Sequence, residues 1–152
     1  MTRDKEELYN IPMLNISVDD FISLLTAIKV IVTADEVGTP QCVDPVQLYA
    51  RILGAPRFTG NAEDIINQAG TTFEQILNTP TNAPKKGDIV VFSSKFNGTV
   101  GHVVIASEDG QVMTFKGFSQ NDPDGSDCEI VEYKYGTSEE SPYVLGWLHP
   151  LN

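Results

Sequence analysis

The chain has 152 residues, 41 % hydrophobic and 20 % charged, enough for one domain with a packed core and unlike the composition of a disordered segment. Its 21 acidic and 10 basic side chains leave a formal charge of −11, which argues against nucleic acid as a partner, because phosphate contacts need an excess of Lys and Arg. Two cysteines cannot build a disulfide framework; Cys42 and Cys128 could pair but read better as two free thiols, and no apolar run reaches the roughly 20 residues of a membrane span.

The opening MTRDKEELYNIPML carries charges of both signs and no apolar core, so residues 1–16 read as an N-terminal arm rather than a signal peptide. The expected place of synthesis and folding is therefore the cytoplasm. Ser17 and Asp20 form an S-x-x-D capping pattern, and Phe21, Leu24, Leu25 and Ile28 recur at helical spacing, predicting a helix at about 18–30. TADEVGTP breaks it. A second helix is expected to begin near Cys42, with Pro45 in its first turn and Val46, Tyr49, Ile52 and Leu53 as its apolar stripe. Gly54 is placed to end it. GNAEDIINQAG, with Asn61 as cap, and TTFEQILNTP, with a threonine cap, both read as short helices ended by Gly70 and Pro80.

After TPTNAPKKGD the periodicity changes. IVVF (89–92), HVVIAS (102–107), VMTFKGF (112–118), EIVEYKY (129–135) and YVLGWLHP (143–150) are short and rich in β-branched and aromatic residues, as strands are. Asn97-Gly98 and Asp109-Gly110 are hairpin-turn dipeptides between them. Helices first and strands after predict an α+β domain over 17–152, its N-terminal helices packed on an antiparallel β-meander of about five strands.

Cys42 is the first candidate for chemistry. At a helix N-terminus, unpaired backbone N–H groups and the helix dipole favour the thiolate, which is the nucleophilic form. Taken alone, it reads equally well as a small core residue. His102, one of two histidines, opens a strand and supplies the partner: a base for attack and then an acid for the leaving amine. A third group is needed to orient the imidazole, and Ser119, Gln120, Asn121 and Asp122 lie in a suitable chain region. His149, near the chain end, reads as structural or exposed. A zinc-type site is not expected, since no close pair of soft ligands exists; Asp35, Glu36 and Asp44 around the cysteine are hard oxygen donors suited to calcium or simply to a solvated loop.

In this order, QCVDPVQLY, GNAEDIINQA, PKKGDIVVF, GHVVIASEDG, FSQN and YVLGWLHP resemble the cysteine-, histidine-dependent amidohydrolase/peptidase (CHAP) domain over residues 38–150. The resemblance implies a papain-like fold and cleavage of amide bonds in bacterial peptidoglycan, at muramoyl–alanine linkages or within peptide stems and bridges, by a phage endolysin-like enzyme. It implies Cys42 as nucleophile, His102 as base, Asn121 as the late polar residue that orients the histidine or supports the oxyanion, and Gln41 as an oxyanion donor. Ser119 stands where many relatives carry an acidic residue. Pro45 stands where an apolar residue is commoner, and only Asp35 and Asp44 correspond to the acidic loop of calcium-binding members. No other cofactor is implied. The implied place of action is the bacterial wall, reached by lysis, export or carriage in a virion, with delivery by a separate partner weighed because the acidic surface opposes attraction to an anionic wall. Two readings stand beside this one: a papain-like hydrolase or toxin with another amide substrate, and a catalytically silent module on the same fold.

Overall fold

The computed structural model describes residues 17–28, 43–79, 81–93, 101–112, 114–119, 129–134 and 144–151. The N-terminal arm, Asp35, Gln41, Cys42, Asn97-Gly98, Asn121 and Cys128 lie outside the described residues.

Helix α1 spans Val18–Ile28. Ser17 caps it through its side chain, accepting from Asp20 N–H at 3.1 Å. Phe21 and Ile22 are buried, and Phe21 meets Tyr49 and Phe118 with ring centroids 5.3 and 6.3 Å apart. Helix α2, Val43–Ile52, buries far more than one stripe: Val46, Leu48, Tyr49, Ala50 and Ile52 are all buried. Its buried polar residue is satisfied in place, because the Gln47 amide donates to Phe58 O at 2.8 Å and accepts from Phe58 N–H at 2.9 Å. The helix ends as its sequence predicts. Gly54 takes φ +94°, Gly54 N–H reaches Arg51 O and Ala55 N–H reaches Ala50 O, the two bonds of a Schellman stop. The Asn61 segment is helical over Ala62–Asn67, but as a 3-10 helix, and Asp64 closes its first turn by accepting from Asn61 N–H at 2.8 Å.

The expected helix in TTFEQILNTP is instead strand β1, Phe73–Leu77. Glu, Gln and Leu favour helix, but five residues cannot repay helix nucleation. The last strand of the chain, β6 (Val144–Pro150), offers a sheet edge that pairs all five, from Phe73↔Pro150 to Leu77↔Gly146. Phe73 then packs against Phe58 with centroids 6.2 Å apart.

The sheet accordingly has six strands. β2 (Ile89–Phe92), β3 (His102–Ala106), β4 (Thr114–Ser119) and β5 (Glu129–Lys134) form the expected meander, and β6 returns to lie between β1 and β2. Every pairing is antiparallel. Asp109-Gly110 is not a tight two-residue turn. The longer β3–β4 connection docks on the chain before β2, with Gly110 N–H bonded to Pro84 O at 2.7 Å and Asp109 Oδ1 accepting from Lys86 N–H at 3.0 Å.

The central strands are apolar on both sides because both sides are covered. Ile89, Val91, Val103, Ile105, Phe118 and Leu148 face the helices. Val90, Phe92, Val104, Phe115, Tyr133 and Trp147 form a second cluster on the opposite face. In a flat sheet β2 and β5 would stand about 14 Å apart, at about 4.8 Å per strand. The rings of Phe92 and Tyr133 are 5.1 Å apart, so the sheet curls and this face is concave. Gly117 permits the curl: a Cβ there would come within 2.6 Å of Val104 Cγ2. Among the described residues, no helix is long and apolar enough to cross a membrane.

Candidate active site

His102 is the first residue of β3, pairs with Phe92 of β2, and is 4 % exposed. Alternation along the strand sends Val103 and Ile105 to the helices and His102 to the concave face. The imidazole sits among aromatic rings, 5.6 Å from Phe92 and 6.0 Å from Tyr133 between centroids. Its Nε2 has two hydroxyl neighbours: Ser119 Oγ at 3.2 Å and Tyr133 Oη at 3.1 Å. Ser119 ends β4 and Tyr133 lies on β5, so three strands converge on one ring.

Of the residues expected to act, His102 and Ser119 are thus brought together. Gln41, Cys42, Asn121 and Asp35 lie outside the described residues. Helix α2 starts at Val43, immediately after Cys42 in the chain, as expected for a residue leading into a helix. Asp44 is in the first turn of α2, with its side chain outside the described set.

A second histidine pair was not expected. His149 Nδ1 lies 2.6 Å from Asp88 Oδ1, and the other carboxylate oxygen accepts from Lys85 N–H at 2.8 Å. In the β2–β6 register Ile89 faces Leu148 and Phe92 faces Val144, so this pair sits at the opposite end of β2 from His102. It borders a depression of about 390 Å³ that Trp147, Ile76, Glu74 and Lys85 also line. Asp88 is 1 % exposed, and burial holds its carboxyl above the ordinary value of 3.8 against the opposing pull of Lys85 N–H and His149. The folded chain therefore binds that proton more tightly than the unfolded chain. The resulting stability is present in full below pH 3.8 and is lost as pH rises through the higher native value. Asp88→Asn is expected to abolish this contribution while changing stability at neutral pH by only about 1 kcal/mol, whereas Asp88→Ala, which strips both partners, costs about 3 kcal/mol. Urea unfolding of the three proteins across the acid range measures both effects.

Comparison with protein families matches residues 32–121 to the CHAP domain, a span that contains Cys42, His102, Ser119 and Asn121. The chain belongs to the CHAP domain family. It is 38 % identical over 93 residues to endolysin LysK of Staphylococcus phage K, a match that covers 59 % of this chain and 19 % of LysK. Among solved structures, endolysin LysIME-EF1 superposes with a TM-score of 0.69 at 26 % identity, over 89 % of this chain and 64 % of that one. Ly7917 shares the fold at 19 % identity, with a TM-score of 0.59 over 89 % and 62 % of the two chains. The chain thus spans about a fifth of the curated relative and under two thirds of the solved ones. These neighbours agree with the papain-like α+β architecture.

Within this CHAP domain, Tyr133 is the feature that the sequence reading missed. One signal was available: EIVEYK alternates, placing Val131 and Tyr133 on one face of β5, and a buried tyrosine hydroxyl needs a polar partner. What the sequence does not carry is the curl of the sheet that brings that hydroxyl to His102.

Proposed function

We propose that this CHAP domain is a thiol hydrolase that cleaves an amide bond of bacterial peptidoglycan. Cys42 Sγ attacks the amide carbonyl carbon, and the thiol proton passes to His102. The imidazolium returns that proton to the leaving amine as the C–N bond breaks, leaving an acyl thioester. Water, deprotonated by His102, then attacks the thioester and releases the acid and the free thiol. Gln41 donates to the tetrahedral oxyanion, and Ser119 and Asn121 support the imidazole.

The observation that supports this reading best is the setting of His102. It opens a strand, is buried among rings and is engaged at Nε2 by two hydroxyls, which supports Nδ1 as the atom that takes the thiol proton. The helix that follows Cys42 supplies the positive dipole end that a thiolate requires. The names of the relatives, endolysins, point to the wall polymer as substrate. The acidic composition adds a reason for delivery by a wall-binding partner.

The test is digestion of purified sacculi of contrasting cross-bridge chemistry by wild type and Cys42→Ala, with and without calcium. Released fragments are read by mass spectrometry. New amine termini produced by wild type alone support the hydrolase and show whether an amidase or an endopeptidase cut was made. Dependence on calcium brings Asp35 and Asp44 forward as its ligands. Equal, absent release by both proteins rejects the peptidoglycan reading.

A further inference from the structure

We propose that Tyr133 is a positioning residue for His102, and that its hydroxyl and that of Ser119 form a cradle at Nε2. This rests on the reading of His102 as the catalytic base. The two oxygens stand at 3.1 and 3.2 Å from the same ring nitrogen, both side chains are at most 5 % exposed, and they come from different strands. The phenol is held by stacking, not by its hydroxyl alone. Its ring lies 5.3 Å from Phe115 at 21° and 5.1 Å from Phe92. The Phe92 ring in turn touches His102, so one aromatic cluster sets the place of both donor and acceptor.

The chemistry of such a cradle differs from that of a carboxylate. A carboxylate only accepts, which obliges Nε2 to carry a proton and strongly stabilises the imidazolium. A hydroxyl both donates and accepts. Two of them can accept from Nε2–H in the charged ring, and they bring no net charge of their own. His102 therefore gives up its proton to the leaving amine more readily than an imidazolium paired with a carboxylate would. Among the described titratable groups, Tyr133 meets Nε2 directly, Glu129 stands opposite Ser119 in the β4–β5 register, and Glu63 lies beside Gly101.

The experiment is an NMR titration of the imidazoles in the full chain carrying Cys42→Ala, which needs no substrate and so stands apart from the hydrolysis assay. The chain has two histidines, and His149, at the far end of β2, is the internal control. Adding Tyr133→Phe keeps the ring and removes the oxygen. The His102 pKa is expected to fall by about one unit, since one of two acceptors for the charged form is lost, while His149 stays fixed. Ser119→Asp is expected to move it upward. In the active protein, Tyr133→Phe should lower kcat with little change in KM, and shift to lower pH the limb of the rate profile that reports His102. A His102 titration unchanged by Tyr133→Phe in a folded protein overturns the proposal. If that variant does not fold, uniform 3-fluorotyrosine labelling carries the test: fluorination makes the phenol oxygen a poorer acceptor, the His102 pKa should again fall, and an unchanged value overturns it.

Discussion

His102→Ala is expected to lower kcat/KM for wall digestion by about 10²–10⁴-fold, the range spanned by loss of a general acid–base group. Two effects add. Without the imidazole nothing accepts the thiol proton, and nothing protonates the amine as it leaves, so both halves of the proposed cycle lose their proton carrier. The helix dipole at α2 still lowers the cost of the thiolate, but the thiol should return toward its ordinary range. Iodoacetamide reads this without substrate. In wild type Cys42 should label much faster than Cys128, and in His102→Ala the two rates should converge. The alanine also leaves Ser119 and Tyr133 facing a cavity among Phe92 and Phe115, with a stability loss of about 2–3 kcal/mol. His102→Gln separates the two consequences, because it refills part of the space and offers the hydroxyls a polar partner while supplying no base. Activity unchanged in both variants, with Cys42 still labelling fast, would remove His102 from the mechanism.

The sequence carried these expectations unevenly, and the reason differs from element to element. Helix α2 was legible because its signals are local: proline near the start, an apolar stripe, and a glycine whose φ of +94° completes the stop. The strands from β2 to β6 were legible from their β-branched runs. Strand β1 was not, since Phe73–Leu77 is made a strand by an edge supplied more than sixty residues later. The same distinction runs through the site. His102 stands out as a rare residue at a strand start, and Ser119 lies in a polar run that follows the next strand. Tyr133 and the Asp88–His149 pair depend on tertiary geometry: the first on the curl of the sheet, the second on the return of β6 beside β2. Local chemistry can be read from spacing, but convergence from distant strands cannot.

Gly101→Ala is expected to cost the fold heavily for one added atom, and it couples stability to the site. Gly101 precedes His102 with φ +91°, a region that residues with a Cβ rarely occupy. Space is also lacking. A Cβ would sit 2.5 Å from Phe92 O, 2.9 Å from Glu63 Cβ and 3.0 Å from Glu63 N. Two of these three are backbone atoms, one at the end of β2 and one in the 3-10 helix, so no side-chain rotation relieves the clash. The chain must shift where β3 begins, and His102 shifts with it. A loss of about 3 kcal/mol or more is expected, equivalent to a fall in Tm of roughly 10 °C for a chain of this length. Gly70→Ala provides the comparison. That glycine has φ +56° with nothing within 4 Å of the added Cβ, so only the backbone penalty of about 1 kcal/mol applies. Thermal unfolding of the two variants isolates the steric part. Wall digestion measured well below either Tm should then show Gly70→Ala near wild type and Gly101→Ala depressed, because the displaced residue is the one next to the base. Equal melting of the two variants would mean that the approach of Gly101 to Phe92 and Glu63 does not set the position of His102.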